Sequence, residues 1–487
     1  MANRLFVFGI GGTGSRVIKA LTMLLASGCK LGKHFNTVVP MLIDPDTSNG
    51  DLNRTKDILR LYQNIRSKIN KPDDFFFHEI KTINEIAKNS DSNPEYFQFS
   101  LENTHNHSFK DYIGFNSLPE DDKNFIKLLY SDKNLEADLN IGFKGNPNMG
   151  SIVLDQFTTS DDFKKFCQVF THGDSIFIIN SIFGGTGAAG FPLLLKTLRS
   201  EHRDLDNINL INSSVIGGLT MLPYFKVGRS EDSEIDSNAF EEKSKMALRY
   251  YNRSIIDQNS VNAIYFLGLK GASKIYENHE GDIQQKNQAH LLEFIGASSI
   301  FHFTNNIEQL KVDHRTRVKE YGLETEGDRI KFRNIDSVIK NSTFKQLAKF
   351  RFFCEYLEKG LHKAISYSRW TNNSNYSKKK TLLDSHFFNS SEYTNYINKF
   401  ADYFNEWVNE MDQNRPEFSP FKKIRYIEES MDFITELKPV KKDGFKKLDY
   451  HNNLNIDEVE STNAYTQLIK LFGKSTEEVL NKNILNN

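Results

Sequence analysis

Two clusters of glycine offer the clearest chemistry in the chain. Gly9-Ile10-Gly11-Gly12-Thr13-Gly14 and Phe183-Gly184-Gly185-Thr186-Gly187-Ala188-Ala189-Gly190 each set small residues and a hydroxyl where backbone can approach phosphate oxygens closely. Each follows an apolar run and opens a helical pattern, so a helix N-terminus adds aligned N–H donors at the same point. Gly9, Gly11 and Gly14 have the spacing of a dinucleotide-binding loop. The acidic partner for a ribose is expected about 20 residues on, whereas Asp44 comes 30 residues after Gly14. The stretch is not a P-loop either, because Ser15-Arg16 stand where Lys followed by Ser or Thr is required. A turn that only packs helix on strand is the alternative for this first loop taken alone. Two such loops at the C-terminal edge of one sheet would converge on a di- or triphosphate, with Thr186 as a hydroxyl donor and Ala188 and Ala189 leaving the approach open.

Strands and helices must hold these loops in place. Arg4–Phe8 reads as a strand, Ser15–Ala26 as a helix, and Val38–Ile43 as a second strand ending in Asp44-Pro45-Asp46, with a polar helix over residues 51–68. Ser175–Ile182 and Phe191–Leu198 repeat the strand and helix around the second loop. Further strands are expected at Ile208–Ile216 and Ala263–Leu267, a helix near Ala239–Arg253, and helices and loops inserted over residues 70–140. This order predicts an α/β fold with a doubly wound, mostly parallel sheet. Gln288–Phe303 predicts one long buried helix, and residues 307–333 are compatible with a hairpin. The remainder reads as mainly helical, best seen where Tyr393, Tyr396, Ile397, Phe400, Phe404, Trp407, Val408 and Met411 fall on one stripe. The expected divisions are an α/β domain over residues 1–285, a central helix over 286–305, and a mainly helical region over 306–487.

On these residues the chain resembles the tubulin/FtsZ family of GTPases. Gly184, Gly185, Thr186 and Gly187 with Pro192 look like the family's phosphate loop, with Phe183 and Ala189 replacing glycines. Gly11, Gly12, Thr13 and Gly14 resemble the first phosphate-contacting loop, Asp44 the acidic loop after the second strand, and Gly145-Asn146-Pro147 with Gly150 the loop near the γ-phosphate. Pro223–Arg229 is similar to the segment lining the ribose, with Val227 where the family has glutamate. The resemblance covers roughly residues 1–305. It implies GTP or GDP as ligand, Mg2+ held through the phosphates rather than by a protein metal site, Asn287 facing the base, and a homo-oligomer built head to tail into a filament. It also implies hydrolysis completed by acidic residues that one subunit inserts against its neighbour's nucleotide. Thr304-Asn305-Asn306-Ile307-Glu308 follows the central helix directly and departs from the family's NxDxxD-like run. Asn334-Ile335-Asp336 lies closer to that run but after an apparent insertion, which ranks Asp336 ahead of Glu308 as the catalytic candidate, with an ordinary helix cap as the other reading of Asp336. Two rival functions stay open. One is a non-catalytic, nucleotide-bound scaffold or adaptor that meets a partner protein through its C-terminal helices; the other is a Rossmann-type dinucleotide-dependent enzyme using Gly9–Gly14.

Composition narrows the field further. The 487 residues carry 62 basic and 63 acidic side chains, a net charge of −1, so no overall field recommends nucleic acid or an anionic membrane as partner. Three cysteines, Cys29, Cys167 and Cys354, lack paired spacing and lie in apolar patterns, which suits a reducing cytoplasm and core packing. The first residues enter a strand directly, and no run reaches the ~18 apolar residues of a membrane span, so neither export nor insertion is expected. His105-Asn106-His107 reads as a polar loop, His290 as a packed or capping side chain, and Lys378-Lys379-Lys380 as a solvated loop. Nucleophile-elbow, HExxH and kinase motifs are missing from the sequence.

Overall fold

The strands of the central sheet are near-continuous apolar runs. NRLFVFGI, FNTVVPMLI, SIFIINS, IGGLTM and AIYFLGL are buried along most of their length, as in strands covered on both faces. The computed structural model describes residues 3–88, 97–99, 101–102, 104, 107–143, 145–200, 205–228, 240–269, 274–277, 279, 281, 283–323, 329–371, 381–422, 430, 443–459 and 461–483. His105, Asn106, Arg229 and Lys378–Lys380 lie outside the described residues. Seven strands, β1 (Asn3–Ile10), β2 (Phe35–Ile43), β3 (Glu79–Ile80), β4 (Ser175–Ser181), β5 (Ile216–Met221), β6 (Ala263–Leu269) and β7 (Arg317–Leu323), form one sheet in the order β3-β2-β1-β4-β5-β6-β7. Every neighbouring pair is parallel. The order reverses between β1 and β4, which pair from Leu5 with Ser175 to Gly9 with Ile179.

Helices cover both faces. On one lie α3 (Pro147–Leu154), α4 (Gly185–Leu198) and α5 (Phe240–Tyr251), around a core in which Phe6 and Phe8 meet the edge of Phe166. On the other lie α1 (Gly11–Ala26), α2 (Gly50–Ser67) and α6 (Leu291–Asn305), followed outward by α7 (Ser337–Lys359), α8 (Lys399–Asp412) and α9 (Ala464–Asn483). This second core runs without a break from Leu5 to Leu480. Phe75 packs edge-on against Phe350, and Phe350 against Phe404. The stripe expected before and within α8 is the buried one, from Tyr393 and Ile397 to Phe404, Trp407 and Met411. All three cysteines are buried and free.

The structure corrects three expected elements. Ile208–Asn212 is a short helix and the strand begins only at Ile216, because Ile208 and Ile211 bury at helical spacing and Ser213 and Ser214 return hydrogen bonds to the preceding carbonyls. Residues 307–333 are not a hairpin. Ile307–Val312 is helical, β7 joins the sheet parallel to β6, and Arg329–Ile330 pairs with Glu417–Phe418 instead. Ile330 and Phe332 alternate with Lys331 because both are buried in the core beside Phe418, not because they belong to a hairpin. The central helix begins at Leu291 rather than Gln288, since His290 caps it by accepting the Leu292 N–H while Glu293 accepts the N–H of His290.

One glycine in the first loop serves the fold alone. A Cβ added at Gly14 would lie 2.5 Å from the Gly9 carbonyl carbon, where α1 crosses its own strand. Gly14→Ala is therefore expected to destabilise the chain by about 1–3 kcal/mol, seen as a lower melting temperature. Gly12→Ala, whose Cβ would meet only the Arg16 guanidinium at 3.6 Å, should leave melting unchanged.

Candidate functional site

Because the sheet reverses order between β1 and β4, the turns that leave those strands diverge to opposite faces and open a crevice between them. Gly11, at φ +73°, turns the chain from β1 straight into α1, a conformation costly for other residues. A Cβ there would lie 3.5 Å from the Thr186 Cβ and 3.6 Å from the Gly187 nitrogen, so the two loops meet across the crevice. Gly187 repeats the part of Gly14: its Cβ would stand 2.8 Å from the Ser181 backbone at the end of β4.

The crevice is a cleft of about 150 Å³ lined by Gly11, Gly12, Thr13, Asp44, Gly145, Gly184, Gly185, Thr186, Gly187 and Asn287, all singled out in the sequence. It shares Gly145, Phe183 and Gly184 with a groove of about 920 Å³ between α3, α4 and α5. Two other expected contacts stand back from the cleft. Gly14 is pinned on Gly9, and Asn146 caps α3 by accepting the N–H groups of Asn148 and Met149. Neither catalytic candidate lines it. Glu308 lies at the opposite edge of the sheet, beyond the C-terminus of α6, beside Lys311 and His34. Asp336 is exposed and caps α7, accepting from the Val338 N–H at 2.8 Å. His290 is a buried cap whose pKa burial lowers to about 4.

The residue that sequence reasoning missed is Arg16, noted there only as the wrong residue for a P-loop. Its guanidinium lines the cleft, and every nitrogen has a partner: Nε donates to Glu293 at 2.6 Å, Nη1 to Asp51 at 2.9 Å, and Nη2 to Tyr224 at 2.8 Å and Thr13 at 3.2 Å. These partners come from positions up to 277 residues away, which no local pattern reveals. Phe225 stacks near the same guanidinium, 5.5 Å from ring centre to carbon. Asp46, Ser181 and Gln285 also line the cleft, with Glu277 at its rim.

No family model matches this chain. No curated protein matches it either. Among solved structures, CetZ from Methanosaeta thermophila strain DSM 6194 is similar at 14% identity, over 71% of this chain and 59% of that one, with a TM-score of 0.28. The chain thus spans less than two thirds of that protein's length.

Asp44 lies buried in the cleft beside a second carboxylate. Burial, and then the carboxylate of Asp46, push its carboxyl up to about 7, against the opposing hydrogen bond from the Asp46 N–H at 3.1 Å. An unfolded aspartate titrates near 4, so the folded chain holds an extra proton between about 4 and 7 and loses stability as pH rises through that window. Asp44→Asn should accordingly melt higher than the native chain at about pH 8, with the gap closing toward about pH 5. Melting curves of the two chains across that range are the check, and a gap independent of pH would contradict the assignment.

Proposed function

We propose that the chain binds GTP or GDP with Mg2+ in the cleft between α1 and α4. The observation that carries this reading is the contact of the two glycine turns across the crevice, Gly11 against Thr186 and Gly187. A phosphate chain seated there receives N–H donors from two helix N-termini and hydroxyls from Thr13 and Thr186. The charges around it call for a cation. Asp44, Asp46 and Glu277 face the cleft, and Arg16 is already balanced by Asp51 and Glu293. A polyphosphate entering alone meets excess negative charge, which a divalent ion carried on the phosphates would offset. Guanine is assigned from the resemblance of the loops to the tubulin/FtsZ family; Asn287 lines the cleft, and its amide suits the edge of a base.

By the same resemblance, subunits stack head to tail in the cytoplasm as a cytoskeletal filament, with hydrolysis coupled to assembly. Glu308 lies at the far edge of the sheet, the end that stacking would bring against the next subunit's cleft. A second reading is favoured by Asp336 and Glu308 themselves: one caps α7 and the other pairs with Lys311 at 2.9 Å, so both carboxylates already have structural partners. That reading is a nucleotide-bound scaffold that does not hydrolyse.

Mass spectrometry of the small molecules released on denaturing the purified chain should find GDP or GTP. A nicotinamide nucleotide would instead support the dinucleotide-enzyme alternative. Chelating Mg2+ should weaken GTP binding at least tenfold, and Gly12→Ala should do the same while its melting temperature stays native. Phosphate release that climbs steeply with protein concentration identifies an assembling GTPase; release that stays at zero identifies the scaffold.

A further inference from the structure

Glu277, His279, Gln285 and Asn287 line the cleft together with the glycine turns, and the end of α8 holds the backbone around Asn287 and Ala289. Glu410 accepts the Ala289 N–H at 2.8 Å and the Arg54 Nη1–H at 2.5 Å. Arg54 in turn donates to the Asn287 carbonyl at 2.7 Å and to Asp51 at 3.1 Å, and Asp51 accepts the Asn287 N–H at 3.2 Å. Just past α8, the Asn414 amide donates to the Ala289 carbonyl and the Tyr276 hydroxyl, each at 2.8 Å, and the Arg415 carbonyl meets the His290 Nε2 at 3.2 Å. Three cations, Arg16, Lys19 and Arg54, are balanced here by Asp51, Glu293 and Glu410. Buried Lys19 has its ammonium 3.6 Å from Glu410 and no hydrogen bond. We propose that Glu410 and Asn414, from the C-terminal helical region, are positioning residues for the nucleoside end of the ligand: they fix the segment carrying Gln285 and Asn287, and the glycine turns hold the phosphates without them. This rests on the nucleotide-binding reading and adds that the site is completed from outside the sheet and its glycine loops. Occupancy of the cleft and the seating of α8 are then coupled, each strengthening the other by the same factor.

The 487-residue chain is compared with Glu410→Ala and Asn414→Ala, the second of which leaves the charge balance intact and serves if the first does not fold. Both variants should bind GTP or GDP at least tenfold more weakly than the native chain. Inorganic tripolyphosphate with Mg2+, which needs only the glycine turns, should bind all three equally, a split that general loss of structure would not produce. Without any ligand, hydrogen exchange at the Ala289 amide should speed up in both variants. Folded variants that bind guanine nucleotide as the native chain does, or that lose tripolyphosphate equally, overturn the inference and leave the binding reading standing. A native chain that takes up tripolyphosphate but no nucleotide overturns both.

Discussion

A closed set of buried opposite charges sets the register of this molecule. Arg16 on α1, Asp51 and Arg54 on α2, Glu293 on α6 and Glu410 on α8 join four helices through side chains largely withdrawn from water. Apolar packing alone holds helices to a sheet but tolerates sliding, because dispersion and hydrophobic contact carry little direction. A guanidinium between two carboxylates has one satisfactory geometry, and each missing partner leaves an uncompensated charge costing about 3–5 kcal/mol. The network therefore does less for total stability than for uniqueness. It ties α1 to α2 and α6 through Arg16, two residues after the glycine loop ends at Gly14.

How far the sequence is legible follows from how far each interaction reaches along the chain. The first βα unit and the second glycine loop are recognisable because strand, turn and helix are consecutive, and each turn packs on its own strand through Gly14 on Gly9 and Gly187 on Ser181. Their meeting at one edge also follows from the rule for doubly wound sheets. Most expected cleft residues line the cleft for that reason. The misread segments are those where local pattern is ambiguous. Ile208–Asn212 carries too few apolar residues to separate a strand from a turn of helix, and β7 looks like half of a hairpin until β6 is seen beside it. Arg16 was invisible as a site residue because its partners Asp51, Tyr224 and Glu293 are 35, 208 and 277 residues away.

The glycines, read alike in the sequence, divide by the space around them. At Gly14 and Gly187 a side chain would strike backbone, so closeness of helix to strand is enough to explain them. A side chain at Gly12 would make only an ordinary contact with the Arg16 guanidinium, at 3.6 Å, so no close approach among the described residues demands glycine there. What distinguishes Gly12 is its place in the lining of the cleft. Asp44 presents the same contrast in charge: a carboxyl pushed toward neutrality by burial and by Asp46 lowers the stability of the folded chain above its titration. Sites that bear such a cost are where ligand chemistry is to be sought.

The C-terminal region shows why a boundary drawn from pattern need not be a boundary in space. Its helices continue the core that begins in the sheet: Phe350 on α7 meets Phe75, and Phe294 at the start of α6 stacks on Phe418 beyond α8. Buried Lys349 on α7 pairs with Asp74, which itself packs against Gly28 at the end of α1 and Gly473 on α9. With apolar contact and ion pairs both crossing from residues below 80 to residues above 340, the region cannot be lifted away without exposing apolar surface and stranding charges. The resemblance read from the loops stops near residue 305, yet the physical unit that shapes the cleft does not. A fragment ending there would keep both glycine turns and lose Glu410, and with it the partner that Arg54 and Lys19 share.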